Sequence, residues 1–209
     1  MQDKSNMSVY KQALRERILE ASMNAFARKG IRAVRMDDIA KILGISKRTL
    51  YELYDNKELL LWECMQRYLE QKKENMKQMD AECMSVMDVI LHIYRMKVEE
   101  WRNTNALFFS DIQKYPSVQA LLRQDYEQNR KNFIGFMERG MKEGFFRKDL
   151  NWEVVAVLFD AITDSIMVNR LYEHYDVEQL FQNVLFVALR GVCTASGLQK
   201  LDEYFSALG

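Results

Sequence analysis

Between Ser46 and Lys57 the chain concentrates side chains that donate hydrogen bonds to anions: Ser46, Lys47, Arg48, Thr49, Tyr51, Tyr54 and Lys57. An arginine presents a fork of donors that matches two acceptors on one edge of guanine, and a lysine can neutralise a phosphate. Thr49 can meet a phosphate or a thymine methyl. The hydroxyls of Tyr51 and Tyr54 can reach a phosphodiester backbone. Lys57 opens a predicted helix, whose free N–H groups also favour a phosphate. This chemistry is recognition of a nucleic-acid duplex, not bond breaking.

To act together these groups need one exposed helix face and a support behind it. Met36–Leu43 and Lys47–Leu53 both read as short helices, separated by Gly44-Ile45-Ser46. Gly44 permits a sharp turn, and Ser46 is a good N-cap. Ile39 and Ala40 face inward, and the small Ala40 lets a second helix cross closely. Ile45 and Leu50 supply apolar contacts that fix the crossing. Ala-x-x-x-Gly at this spacing is the pattern of a helix-turn-helix, whose second helix enters the major groove. A longer helix precedes it, from about Tyr10 to Lys29, with Leu14, Ile18, Ala21, Ala25 and Phe26 at helical spacing and Gly30 as its stop. Asp55-Asn56 then breaks the pattern before a helix from near Lys57 to about Met79.

Ile18–Leu60, ILEASMNAFARKGIRAVRMDDIAKILGISKRTLYELYDNKELL, resembles the N-terminal signature of the TetR family. The resemblance rests on Ile18-Leu19, Ala21, Phe26, Gly30, Ile39-Ala40, Gly44-Ile45-Ser46-Lys47, Thr49-Leu50-Tyr51 and Lys57-Glu58. It implies a dimeric, all-helical regulator with a variable C-terminal ligand domain, and repression as the family's usual mode. Several positions depart from the family pattern. Ser22 stands where a small apolar residue is common. Arg35 replaces a Ser or Thr that would cap the second helix and touch phosphate; Arg35 can still reach a phosphate but caps differently. Arg48 stands where a small residue is common, so it is expected to set sequence preference. Tyr54 and Asp55 replace Phe and Pro.

The whole chain fits that expectation. It has 209 residues, 48% apolar, with one Pro and eight Gly, a composition biased towards long helices. Net charge is zero, but residues 1–60 carry 12 basic and 8 acidic side chains, so the surplus positive charge lies at the duplex-reading end. No signal peptide or transmembrane run is evident, and cytoplasmic location is expected. Cys64, Cys83 and Cys193 lack paired spacing and read as reduced structural thiols, without a zinc site. Further helices are expected over about Ser85–Asn103, Asn105–Lys114, Pro116–Lys142, Asn151–Tyr175 and Val177–Ala195, with a last short one over Leu198–Leu208. The fold class is therefore all-α: an N-terminal three-helix DNA-binding domain over residues 1–56 and a C-terminal helical bundle over residues 57–209.

The resemblance places dimerisation on the last two long helices. Their stripe of Val155, Phe159, Ile162, Ile166, Leu185, Ala188 and Val192 is the expected interface; Val154, Leu158, Ala161 and Val168 form a second apolar face on the same helix. Trp101, Phe108, Phe109, Tyr126, Phe133 and Met137 are candidate ligand contacts in the middle helices, although an aromatic or Met at helical spacing is ordinarily a core residue. The expected partners are a double-stranded operator, a second copy of the chain and a small apolar or aromatic effector. An enzyme is disfavoured: no Glu-x-x-His pair, Gly-rich phosphate loop, Gly-x-Ser-x-Gly or Cys-x-x-Cys occurs. A helical protein-interaction adaptor is the competing class, and it leaves Ser46–Thr49 beside Lys57 without a purpose. No cofactor is expected.

Overall fold

The computed structural model describes residues 2–82 and 84–207, with side-chain surroundings from Tyr10 onward except at Lys131. Cys83 and Leu208 lie outside the described residues. The chain is helical throughout: α1 (Gln2–Lys29), α2 (Met36–Leu43), α3 (Lys47–Tyr51), α4 (Lys57–Ala81), α5 (Val86–Arg102), α6 (Ala106–Ile112), α7 (Pro116–Lys142), α8 (Trp152–Val168), α9 (Val177–Leu180), α10 (Phe186–Val192) and α11 (Ala195–Ser206). No described helix is long and apolar enough to cross a membrane.

Two compact units share the chain. The first holds the residues up to Glu74 together with Asn103–Gln124, and the second holds Asn75–Arg102 and the residues from Asp125 on. The core of the first gathers Leu14, Ile18 and Phe26 of α1, Ile31 and Val34 of the α1–α2 connector, and Ile39 and Ala40 of α2. Leu50 of α3, Leu60 and Leu61 of α4, and Phe108 and Ile112 of α6 complete it. The α1–α3 amphipathic stripes alone would leave this core open on one side; α4 and α6 close it.

The second unit packs Val86, Met87, Leu91 and Tyr94 of α5 against Met137, Trp152, Phe186, Leu189 and Leu201. Tyr94 sits at the middle of an aromatic cluster, edge-on to Phe181 at 5.3 Å and Phe186 at 5.1 Å between ring centroids, the geometry that ring quadrupoles favour.

Two expected helices are shorter in the structure. The one expected to reach Tyr175 stops at Val168; Arg170 is left-handed with φ 51°, and Leu171–Glu173 form a single 3-10 turn. The left-handed region strains a residue with a Cβ. Arg170→Gly is therefore expected to raise stability by about 0.5–1 kcal/mol, since the exposed Arg170–Glu173 ion pair it removes is worth little. A lower melting temperature would contradict this. The helix expected over Val177–Ala195 contains a π-helical turn at Phe181–Leu185 and ends at Val192. Its exit is drawn into extended pairing with the α7–α8 loop: Arg147 N–H donates to Val192 O at 3.0 Å, and Thr194 N–H donates to Phe145 O at 2.9 Å. Thr194 then caps α11, so Ser196-Gly197 lies inside that helix's first turn rather than breaking a helix.

Cys64 and Cys193 are free and buried. Burial pushes the Cys64 thiol up to about 12 and the Cys193 thiol up to about 11. Both stay protonated at pH 8, and the thiolate is the reactive form. Peptides carrying either residue should remain unalkylated in native protein and react after denaturation, as read by mass spectrometry; rapid native labelling would overturn this.

Candidate nucleic-acid interface

Local chemistry places α3. Arg35 occupies the N-cap of α2 in extended conformation and makes no side-chain cap; instead the Asp38 carboxylate accepts its backbone N–H at 2.9 Å. Asp37 and Asp38 also stand in the first turn, where the helix dipole favours negative charge. The α2 C-terminus closes on Gly44, left-handed at φ 66°, with Gly44 N–H donating to Lys41 O at 3.2 Å and Ile45 N–H to Ala40 O at 3.0 Å. Such a cap reverses the chain within two residues. Ser46 then caps α3: its Oγ accepts Thr49 N–H at 3.0 Å and lies 2.8 Å from Thr49 Oγ1.

With Leu50 turned inward, Lys47, Arg48 and Tyr51 point to solvent, Ser46 is exposed, and Thr49 is half-buried. Arg35 is exposed at the start of α2. The structure thus brings Arg35, Ser46, Lys47, Arg48, Thr49 and Tyr51 to accessible positions on the helix-turn-helix. Both cations of α3 already have acidic neighbours. Lys47 Nζ pairs with Asp37, whose hydrogen bond raises the lysine's proton affinity, and Arg48 Nε meets Glu52 Oε1 at 2.9 Å. Sequence reading overlooked both acids. The i,i+4 spacing of Arg48 and Glu52 was a usable signal; the Lys47–Asp37 pair depends on the α2–α3 crossing. Arg17, Arg28 and Lys29 add exposed positive charge along a cleft of about 500 Å³ between α1 and α2.

Two expected phosphate contacts are corrected. Tyr54 is 1% exposed, in the first core, with its hydroxyl buried and making no hydrogen bond. Arg15 lies over its ring at 5.8 Å, and that guanidinium is committed to Glu63 at 2.8 and 2.9 Å. Burial drives the Tyr54 hydroxyl's pKa well above its ordinary value. Tyr54→Phe should accordingly leave duplex binding unchanged and alter stability by no more than about 1 kcal/mol, because the buried ring supplies the packing. A weakened duplex complex would restore Tyr54 to the interface. Lys57 is likewise occupied: its Nζ donates to Ile31 O and Val34 O, each at 2.9 Å. Burial lowers its pKa. It is a clip on the α1–α2 connector.

The other expected sites are redistributed. Phe108 and Phe109 belong to the first unit's core, whereas Trp101, Phe133 and Met137 pack in the second, and Tyr126 is exposed on α7. Val155, Ile166 and Val192 are buried inside their own protomer, Phe159 packs partly buried against the second core, and Ile162, Leu185 and Ala188 are half-buried. The face left open is the other one on α8: Val154, Val157, Leu158 and Val168, the last 79% exposed, with Val187 on α10. Among the described residues, no group of three or more His, Cys, Asp and Glu is arranged to hold a metal ion.

A helix-turn-helix buttressed by α4 and α6 is the arrangement of a DNA-binding regulator. Residues 18–64 match the family described as bacterial regulatory proteins, tetR family. It is similar to the HTH-type transcriptional repressor KstR2 of Mycolicibacterium smegmatis, 25% identical over 193 residues that cover 88% of this chain and 92% of the relative. Among solved structures it is similar to a transcriptional regulator from Saccharomonospora viridis in complex with choline, with a TM-score of 0.70 at 19% identity, covering 88% of this chain and 99% of that one. The ketosteroid transcriptional regulator KstR2 of Mycobacterium tuberculosis gives a TM-score of 0.56 at 22% identity, covering 86% and 95%.

Proposed function

We propose that this chain is a cytoplasmic, ligand-responsive repressor that binds a palindromic operator as a homodimer and is released by a small apolar or aromatic effector. The observation that carries the reading is the exposed Ser46–Tyr51 face of α3, capped by Ser46 and backed by the buried Leu50. We assign duplex reading to residues 1–56 and pairing and effector binding to residues 57–209. Arg35, Ser46 and Thr49 would hold phosphates, Arg48 would read a base edge, and Lys47 and Tyr51 would contact the backbone.

A single short reading helix has little contact area, and a twofold partner supplies a second one about 34–36 Å away, the spacing of one duplex turn. The unpartnered apolar face of Val154, Val157, Leu158, Val168 and Val187 supports self-association. An effector would act by preferring a dimer arrangement whose reading helices no longer match adjacent grooves; only its differential affinity for the two arrangements matters. The choline complex of the Saccharomonospora viridis regulator and the description of the Mycobacterium tuberculosis neighbour as a ketosteroid regulator support a small-molecule effector. The aromatic packing around Tyr94, Trp101 and Phe133 supports an apolar or aromatic one.

The test is selection of duplexes from a random pool by the full chain, followed by sedimentation of the complex. Expected are an enriched inverted repeat, two protomers per duplex and affinity that falls with salt. No enrichment, or salt-indifferent binding, would return the chain to the adaptor class.

A further inference from the structure

The exit from α1 is hydrogen-bonded by the N-cap residue of α6. A helix leaves its last carbonyls without intrahelical partners. Here Asn105, the N-cap of α6, donates its backbone N–H to Ala27 O at 2.7 Å and its side-chain amide to Arg28 O at 3.4 Å. At the other end of α6, Asp111 Oδ2 accepts the backbone N–H of Arg32 at 2.8 Å. Asp111 is 6% exposed, and its second oxygen faces Lys114 Nζ at 3.4 Å. Between these anchors Gly30 is left-handed at φ 83°, and a Cβ there would lie 2.8 Å from Leu107 Cβ, so α6 lies directly against the connector.

Lys57 takes the connector's carbonyls from Ile31 and Val34, while Asp111 takes its Arg32 N–H. Ile31 and Val34 are core residues, so the connector is fixed by both its polar and its apolar groups. Met36 begins α2 four residues after Arg32, and the Gly44 turn ties α3 to α2. The direction in which the connector leaves α1 therefore sets where the reading helix stands. A buried carboxylate is costly unless it is paired. Its hydrogen bonds lie wholly outside the α2–α3 pair, so it contributes nothing to the pair's own internal bonding.

We propose that Asp111 is a positioning residue for duplex recognition: its carboxylate registers the α1–α2 connector, and through it α2 and α3, on α6. The proposal rests on the duplex-reading function given above. Asp111→Ala removes the acceptor, and Asp111→Asn keeps one acceptor oxygen without the charge. Both variants, in the full chain, would be compared with the parent on a duplex selected by the parent and on a random duplex of equal length, below the variants' melting temperatures. Amide exchange at Arg32 would be followed in parallel.

Expected for D111A is a loss of about tenfold or more on the selected duplex, the size of a mismatched base pair, with random-duplex affinity changed by less than about threefold. Arg32 N–H should exchange faster. D111N should stay within about threefold of the parent on both duplexes, with slow Arg32 exchange retained. Equal affinity of D111A and parent for the selected duplex, or equal losses on both duplexes, would overturn the proposal. If D111A does not fold, D111N decides: fast Arg32 exchange with unimpaired selectivity also overturns it. A parent chain that selects no duplex removes the function and this proposal together; a selective parent with an indifferent D111A removes only the proposal.

Discussion

Leu50→Ala is expected to destabilise the first unit by about 3 kcal/mol in a urea titration. Leu50 is 0% exposed on a five-residue helix, and its neighbours in the core come from other elements: Ile39 and Ala40 of α2, Phe26 of α1 and the ring of Tyr54. Those groups are held in place by caps and connectors, so the site has little freedom to collapse around the missing atoms. The full cavity penalty then adds to the lost transfer free energy. A helix of five residues has no independent stability, and Leu50 is its one buried side chain. A loss below about 1 kcal/mol would mean that α3 is held by something other than this anchor.

Arg48→Ala is expected to weaken binding to a selected duplex by about ten- to a hundredfold and to relax preference at one base pair of each half-site. The side chain stands on the outer face of α3, one residue past its N-terminal Lys47, and carries the fork geometry that guanine matches. Lys47→Ala should differ in kind, weakening selected and random duplexes alike, because a phosphate contact carries no sequence information. Competition assays with single-base variants of the selected duplex separate the two. Uniform weakening by Arg48→Ala would reassign it to the backbone; an unchanged complex would remove it from the interface.

The helix-turn-helix was legible because its determinants are local. Gly44 is the residue whose left-handed φ the turn requires, and Ser46 reaches a backbone N–H three residues on. The starts expected at Pro116, Asn151 and Val177 hold for the same reason: Pro116 opens α7, Asn151 caps α8, and Asp176 with Gln179 forms a capping box before α9. What escaped depended on distant partners. A tyrosine suits a surface or a core, and Tyr54 is turned inward beneath Arg15, which lies 39 positions earlier. Lys57 finds its acceptors at Ile31 and Val34, on the far side of the helix-turn-helix in sequence. On α8 two apolar faces compete, and periodicity alone does not say which one the protomer keeps. The stop at Val192 is likewise imposed by Phe145 and Arg147 rather than by any breaker in the helix itself.

The carboxylates of Asp37 and Glu52 also change how an ionic-strength titration should be interpreted. On the proposed function, Lys47 or Arg48 leaves an acid when it turns to a duplex, and that acid then attracts sodium or potassium from the bulk. Part of the cation cloud shed by the duplex is thereby recaptured by the protein. The apparent number of displaced ions will fall short of the number of contacted phosphates, and neutralising the two acids should bring the two counts together.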